Sequence, residues 1–518
     1  MSASIGWLAA RAAERWPSDT FAFLGDETLS FQQLADWVNT AAVHMVDAGV
    51  GPSDAVLVHL PNGFEVIVYQ LAAWRIGAVA VPVVPIYRRR ELTYIVGDVL
   101  PRLLITGGKS ADGTNTEVFD AIVAGIDGLA AAAKWEVGGN TPGWVPAPSR
   151  SAAHSRSNLP DPAGPNECCL ILFTSGTTSA PKGVRLSSTA LTQATGAWIG
   201  MGIGQQDVGL AVAPLAHIAG LIPGALLPLS VGCATVIMPK WNARQAIQLI
   251  DQHKATISAG AATFLRDLVD AYRDNHADIH RLSHFVSGGA ATSPNLVRAA
   301  ETVGMRASRA FGMTETAGVI AIASQHAPLD RRANYDGCLV DSVQVRVVDD
   351  DGLPLPRGTD GSLLIRGPQL MMGYTDLQRT AEQIRDGWFD PGDVVRVTAD
   401  GWLQVTGRTK DIINRGGEKF SARDIEEALL LHPDIHHAAV AAVPHPRFGE
   451  AVAAYLVLTP GTSWIGGERV SAFLMESGLA KPKIPVEWNV VDEIPVTATG
   501  KIQKHLLAQL HTIVKEPL

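Results

Sequence analysis

Cysteine is scarce in this 518-residue chain: Cys168, Cys169, Cys233 and Cys338 make up the whole set, and no two are spaced C-x-x-C. A disulfide framework is excluded, and a reduced, cytoplasmic setting follows. Basic residues are not in excess, with 42 Lys and Arg against 51 Asp and Glu and a net charge of −9. Nucleic acid is disfavoured as a partner, because neutralising a phosphate backbone needs a basic face. Uninterrupted hydrophobic runs are missing as well. Between Asp207 and Lys240 there is no acidic or basic side chain except His217, a span long enough to cross a bilayer. Pro214, Gly220, Pro223, Gly224, Pro228 and Gly232 interrupt it, whereas a lipid-facing helix must make all its backbone bonds internally. The stretch reads as buried core, and no transmembrane segment is expected. At the N-terminus, Arg11, Glu14 and Arg15 among apolar positions predict an amphipathic helix rather than a signal peptide. Short-period repeats and long low-complexity tracts are absent too.

What is present is an alternation of short β-rich apolar runs with helical periodicity, the pattern of parallel sheets with crossover helices. Since single cores stop growing at about 250–300 residues, two or more domains are required. Ala55–Leu60 reads as strand, Phe64–Ile76 as helix and Ala78–Val81 as strand. A second series runs through strand Ala211–Ala213, a helix near Gly224–Leu229, strand Ala234–Ile237, helix Ala243–Gln252, strand Thr256–Ser258, helix Thr263–Ala271 and strand Phe285–Ser287. The fold class is α/β, α+β overall. Two doubly wound sheets and a small β-rich subdomain around Val343–Leu364 form a large N-terminal domain, 1–409. A small, mobile α+β C-terminal domain, 410–518, follows. The Gly-, Pro-, Ser- and Asn-rich stretch Gly138–Glu167 predicts a surface connection. Ser421 is placed to cap a helix, its hydroxyl reaching the amides near Asp424.

Chemistry concentrates in one loop. The apolar strand Cys168–Phe173 leads into Thr174-Ser-Gly-Thr-Thr-Ser-Ala-Pro-Lys-Gly183, with five hydroxyl residues, two glycines and a lysine. Backbone amides, hydroxyl donors and a cation in one loop suit a polyphosphate. It is not a Walker A loop, because Lys182 precedes Gly183 instead of following a glycine and preceding Ser or Thr. Taken alone, it would also pass for a polar surface loop. Four further segments follow in order: Arg309-Ala-Phe-Gly-Met-Thr-Glu315, Asp386-Gly-Trp-Phe-Asp-Pro-Gly-Asp393, Gly407-Arg-Thr-Lys-Asp411 and Pro495-Val-Thr-Ala-Thr-Gly-Lys501.

With these five motifs the chain resembles the adenylate-forming superfamily of acyl-CoA synthetases, adenylation domains and firefly luciferase. The resemblance runs from Ser30-Phe-Gln-Gln-Leu34 and Leu60-Pro-Asn62 to Lys501. It implies ATP-dependent activation of a small carboxylic acid to an acyl-adenylate with release of pyrophosphate, then transfer of the acyl group to coenzyme A. By that resemblance Thr174, Ser175, Gly176, Thr177, Thr178 and Lys182 hold the β- and γ-phosphates. Thr314 touches the α-phosphate, and Glu315 holds Mg²⁺, a hard cation that prefers oxygen ligands. Phe311, flanked by Ala310 and Gly312, lies against the adenine, while Gly288, Gly289 and Ala290 allow close backbone approach. Asp393 accepts hydrogen bonds from the ribose hydroxyls, with Arg408 nearby. Phe311 alone would read as core packing and Lys501 alone as a solvated surface charge. Their places in the motifs make them the adenine platform and the catalytic lysine. Lys410 matches the hinge on which the C-terminal domain turns between half-reactions, exchanging Lys501 for a face carrying Arg415, Gly416 and Gly417 that opens a channel for pantetheine.

The acyl pocket is implied by Ala213-Pro-Leu-Ala-His-Ile-Ala-Gly220, which places His217 beside the acyl carboxylate. Ile218, Ala219, Leu221, Ala261, Ala262, Phe264 and Met313 would line it, giving the apolar wall usual in ligand sites. No Asp in that segment could pair with an α-amino group, which disfavours amino acids. Trp241–Leu265 and Tyr335-Asp-Gly337 look most like the branch acting on alicyclic and medium-chain acids such as cyclohexanecarboxylate. Ile413-Asn-Arg-Gly-Gly-Glu-Lys419 is similar to ligases for aryl acids. Ser179, Ser188, Ser362 and Pro391 depart from the family pattern without removing a charge the reaction needs. Two alternatives stay open: a ligase that loads a carrier-protein thiol with the same residues, and a degenerate nucleotide-binding protein without activity. Assembly as a homodimer is compatible with the sequence and not fixed by it.

Overall fold

The structure is a computed structural model that describes residues 4–110, 113–129, 132–152, 158–174, 181–274, 280, 282–408, 411–415, 418–496, 502–510 and 514–517. Two large sheets dominate. The first has seven strands in the order Arg306–Arg309, His284–Ser287, Ile257–Gly260, Val208–Ala211, Ala234–Ile237, Thr20–Leu24 and Glu27–Ser30. Its first six strands are parallel, and Glu27–Ser30 pairs antiparallel at the edge. The second has eight strands, with a parallel body of Cys168–Thr174, Val79–Pro82, Ala55–His59, Leu103–Thr106 and Ala133–Glu136.

Helix Phe64–Arg75 buries Phe64 and every residue from Val66 to Trp74, on every side. A helix that is apolar all round belongs inside a core. It does so here: Trp74 is fully buried and donates its indole N–H to the carbonyl of Cys169 at 2.7 Å. Ser30 starts helix Phe31–Asp47 by a reciprocal capping box with Gln33. The uncharged stretch after Asp207 resolves into strand Val208–Ala211, helical turns from Ile218 to Val231, one of them π-helical at Ile222–Leu226, and strand Ala234–Ile237. No helix among the described residues is long and apolar enough to cross a membrane.

An antiparallel sheet containing Gln344–Val348, Asp360–Arg366, Asp393–Val397 and Leu403–Arg408 forms the expected β-rich subdomain. Beyond it, Ile413, Phe420, Ile425, Leu429, Val440, Val452, Leu474 and Trp488 build a core of their own. Ser421 caps helix Ala422–Leu429, accepting from the amide of Arg423, one residue before the expected position.

One expectation changes. The stretch Gly138–Glu167 is not merely a surface connection: Val145–Pro146 extends the eight-stranded sheet, Trp144 is buried, and the carbonyl of Pro148 receives both Trp37 Nε1 and the Tyr69 hydroxyl. Its polar composition conceals a tryptophan anchor whose indole N–H donates to Asp120. The phosphate loop leads into strand Lys182–Ser187, antiparallel to Cys168–Thr174, with Thr174 opposite Lys182. The element after the loop is a β-strand, so the loop spans an antiparallel pair.

Candidate active site

In open α/β sheets ligands bind beyond the carboxyl ends of parallel strands. Three neighbouring strands of the seven-stranded sheet end where the sequence turns to small residues: Gly260-Ala261-Ala262 after the first, Gly288-Gly289-Ala290 after the second, and Ala310-Phe311-Gly312-Met313 after the third. Together they open onto a cavity of about 570 Å³. Ala262, Gly289, Ala290, Ala310, Phe311, Gly312 and Met313 line one wall of it; Asp393 and Arg408 line another. Gly289 takes φ +79°, a left-handed conformation that favours glycine. At Gly312 a Cβ would fall 2.1 Å from the carbonyl oxygen of Gly318, so no larger residue fits beside the adjacent strand. Gly288 does not itself line the cavity, but its amide bonds Gly260 at 3.0 Å and sets the strand-end spacing.

Asp393 and Arg408 face each other in register across two antiparallel strands, and the guanidinium Nε donates to Asp393 Oδ1 at 2.8 Å. Asp393 is nearly fully buried, while Arg408 is about half exposed. The carboxylate is thus oriented from one side and presented to the cavity.

The far wall comes from the C-terminal region, through Ile494, Val496, Ile502 and Lys504. Val496 and Ile502 form a β-bridge, and both line this wall. Lys504 is tied down by Glu426 at 2.8 Å and Asp411 at 3.7 Å. Burial raises the Glu426 carboxyl above its ordinary range, and Lys504 pulls in the opposite direction.

A charged quartet joins the two walls. Arg309 grips Asp336 with two hydrogen bonds of 2.9 Å, Arg423 reaches the same carboxylate at 3.2 Å, and Glu427 accepts from Arg423 at 3.0 Å. Asp336 Oδ2 also accepts the amide of Val405 at 2.8 Å. Burial alone would raise the Asp336 carboxyl, but the guanidiniums of Arg309 and Arg423 with the Val405 amide hold it below the usual carboxylate range. Two positive and two negative groups leave the cluster neutral.

Off the cavity, a second group gathers around the phosphate loop. Thr174 pairs with Lys182, whose ammonium lies 5.7 Å from the ring centroid of Tyr374. The Tyr374 hydroxyl meets Glu315 Oε1 at 3.0 Å, and Thr314 is buried next to Glu315. No group of three or more His, Cys, Asp or Glu among the described residues is arranged to hold a metal. A single carboxylate such as Glu315 suits Mg²⁺, which is commonly held by one or two carboxylates plus substrate phosphates.

Several expected site residues are not brought to the cavity. His217 accepts the amide of Ala219 at Nδ1, 3.2 Å away, capping its own helical turn, and it does not line the cavity. Ile218 and Leu221 are buried in the main core. Arg415 bonds the carbonyl of Pro482 and packs its guanidinium 4.9 Å from the Phe448 ring centroid, away from the nucleotide wall. Ser175, Gly176, Thr177, Thr178, Ser179, Lys410, Gly416, Gly417 and Lys501 lie outside the described residues. Conversely, Tyr374, Gln383, Arg423 and Glu427 belong to the surroundings of the site without any motif pointing to them. Asp336 lay within Tyr335-Asp-Gly337, yet its partners are remote in sequence.

A cavity of this size at the ends of parallel strands, walled by glycines, an aromatic ring and a buried carboxylate, defines a nucleotide-using α/β enzyme. The chain belongs to the AMP-binding enzyme family, whose main domain matches residues 9–375 and whose C-terminal domain matches residues 424–501. It is 31% identical over 486 residues to a medium-chain fatty-acid–CoA ligase of Escherichia coli, covering 92% of this chain and 83% of that protein. It is 32% identical to a salicylyl-CoA synthase / salicylate adenylyltransferase of a Streptomyces species, covering 94% and 90% of the two chains. The ATP-bound crystal structure of MatB from Rhodopseudomonas palustris matches it with a TM-score of 0.87 at 26% identity, over 98% and 99% of the chains.

Proposed function

We propose that this enzyme is an ATP-dependent acid–thiol ligase, which converts a hydrophobic alicyclic, medium-chain or aryl carboxylic acid to its acyl-AMP and then to its coenzyme A thioester. The observation that carries the reading is the register of Asp393 with Arg408 beside Phe311 on one cavity, a pocket for a nucleoside facing the segment that flanks Lys501. The apolar neighbours Ala262 and Met313 support a hydrophobic acid.

In the first half-reaction the substrate carboxylate attacks the α-phosphorus of ATP; the bond between the α-phosphorus and its bridging oxygen breaks, and pyrophosphate leaves. Both reactants are anions, so catalysis consists of positioning and charge stabilisation. Asp393 orients the ribose, Phe311 stacks on the adenine, and Lys182 with the loop from Thr174 meets the terminal phosphates. Thr314 bonds the α-phosphate, and Lys501 bridges the attacking carboxylate and the α-phosphate. Mg²⁺, when bound, neutralises charge on the phosphates; Glu315 is the residue that would hold it. In the second half-reaction the thiol of coenzyme A attacks the acyl carbon, AMP leaves, and the proton of the thiol is released. The domain boundary at 409/410, the hinge role of Lys410 and the pantetheine face at Arg415, Gly416 and Gly417 are part of the same proposal. Four free thiols support a reduced, cytoplasmic location.

The test is pyrophosphate release across a panel of carboxylic acids, with and without coenzyme A, with the thioester read by mass. Lys501→Ala is expected to abolish acid-dependent pyrophosphate release and to leave thioester formation from supplied acyl-AMP largely intact. Equal loss of both half-reactions would refute the role of Lys501. A product thioester only with a carrier protein would move the acceptor from coenzyme A to that protein.

A further inference from the structure

Tyr374 is an almost completely buried tyrosine whose hydroxyl has two neighbours: Glu315 Oε1 at 3.0 Å and Gln383 Oε1 at 2.7 Å. A phenol carries one proton, and an ionised carboxylate only accepts, so the pattern as drawn asks one proton to serve two oxygens. Exchanging the oxygen and nitrogen of the Gln383 amide, which are interchangeable in shape, resolves it. Gln383 then donates through Nε2 to the phenol oxygen, and the phenol donates to Glu315.

The backbone around this chain of hydrogen bonds is fixed at several points. Tyr374 pairs with Val184, the Tyr374 amide donates to Thr380 Oγ1 at 2.8 Å, and the amide of Met371 donates to the carbonyl of Glu315 at 2.8 Å. Thr375 donates to the carbonyl of Gly183, immediately after Lys182, at 2.8 Å. One side chain thus touches two parts of the phosphate apparatus: its ring lies under the Lys182 ammonium and its hydroxyl holds the Glu315 carboxylate.

We propose that Tyr374, backed by Gln383, is a positioning residue for the divalent cation: it locks one oxygen of Glu315 so that the other is presented to the metal of the metal–nucleotide complex. The inference rests on the proposed role of Glu315. It predicts a specific loss, in the metal-dependent part of nucleotide binding and not in nucleotide binding as such.

The experiment measures ATP binding to the full-length chain by calorimetry, in Mg²⁺ and in EDTA, with the Mn²⁺–ATP complex followed by electron paramagnetic resonance. Tyr374→Phe removes only the hydroxyl. Because a hydrogen bond to a charged group is being lost, the dissociation constant in Mg²⁺ should rise about tenfold while that in EDTA stays within about twofold. The Mn²⁺ spectrum should show altered coordination. Gln383→Leu should give a smaller change of the same kind, about threefold, since Glu315 keeps its direct donor. Wild-type affinity of Tyr374→Phe in Mg²⁺, or an equal loss in Mg²⁺ and EDTA, would overturn the proposal. Glu315→Gln separates the two claims: if it leaves the metal dependence intact, the role of Glu315 is wrong; if it removes that dependence while Tyr374→Phe does not, only the role of Tyr374 fails.

Discussion

Removing Arg423 should slow adenylate formation more than thioester formation. The side chain is 16% exposed and Asp336 8%, so their contact is largely shielded from solvent. Breaking a buried pair costs about 3–5 kcal/mol when the remaining charge is left uncompensated. Here Asp336 keeps both bonds to Arg309 and the amide of Val405, and Glu427 keeps Arg309 at 3.6 Å. The loss in Arg423→Ala should therefore be that of a charged hydrogen bond, about 1.5–3 kcal/mol. That energy stabilises the arrangement in which Ile494, Val496, Ile502 and Lys504 face the nucleotide wall. At 1.4 kcal/mol per factor of ten, its population relative to the alternative domain arrangement falls about ten- to a hundredfold. The assay compares acid-dependent ATP–pyrophosphate exchange with thioester formation from supplied acyl-AMP and coenzyme A. Exchange should drop by at least about tenfold where that arrangement ceases to dominate, with the second rate little changed and Arg423→Lys intermediate. Equal loss in both assays, or no loss in either, would refute the idea that this contact selects between the half-reactions.

The same quartet should respond to acid. Its folded pKa is depressed at Asp336, so its contribution is present above the unfolded carboxylate value and disappears as pH falls through the lower folded value; a C-terminal domain contact that survives at pH 5 should weaken only well below that, as read by proteolysis or scattering. Raising the pH from 5 to 8 should leave it unchanged. At the nucleotide wall, Gly312→Ala would put a methyl group 2.1 Å from the Gly318 oxygen and 2.5 Å from Val319 Cα. Because both obstacles are backbone, a cost of about 1–3 kcal/mol or more is expected, seen as a lower melting temperature together with weaker ATP binding.

The parallel sheets are legible in the sequence because each buried strand is a short apolar run between helical periodicities. Ala234–Ile237 and helix Ala243–His253 lie where that pattern puts them. Strand Lys182–Ser187 is not legible in the same way, since it follows a polar loop and carries Arg185, so its antiparallel pairing is set by Cys168–Thr174 and not by its own composition. Trp144 was similarly hidden among Gly and Pro. Within the site, motif residues such as Phe311 and Asp393 announce themselves by their neighbours in sequence. Arg423 meets Asp336 across 87 positions and Tyr374 meets Glu315 across 59, and no local spacing records such contacts. His217 is singled out by its place in Ala213–Gly220, and that segment does not record that its Nδ1 accepts the amide of Ala219 at the start of the turn.

The charged groups around the cavity and the phosphate loop divide by position. Arg309 and Arg423 each have a carboxylate partner that is at least partly buried, and Lys504 has Glu426 and Asp411. Their charge is largely spent within the protein, and each of these pairs ties an element of the site to its neighbours. Lys182 packs over the electron-rich face of Tyr374 at the foot of the phosphate loop, 5.7 Å from the ring centroid, and an aromatic face in that position attracts a cation. On the roles proposed above, screening of the triphosphate should depend on Lys182 and on the metal that Glu315 would hold, both of them next to Tyr374. Coupling of the domains should depend instead on the neutral quartet. Tyr374→Phe and Arg423→Ala ought to be additive when combined, because the hydroxyl of Tyr374 bonds Glu315 and Gln383 while Arg423 bonds Asp336 and Glu427. A double variant Tyr374→Phe with Arg423→Ala that lost markedly more or less than the sum of the single changes would mean that phosphate binding and domain position are one event rather than two.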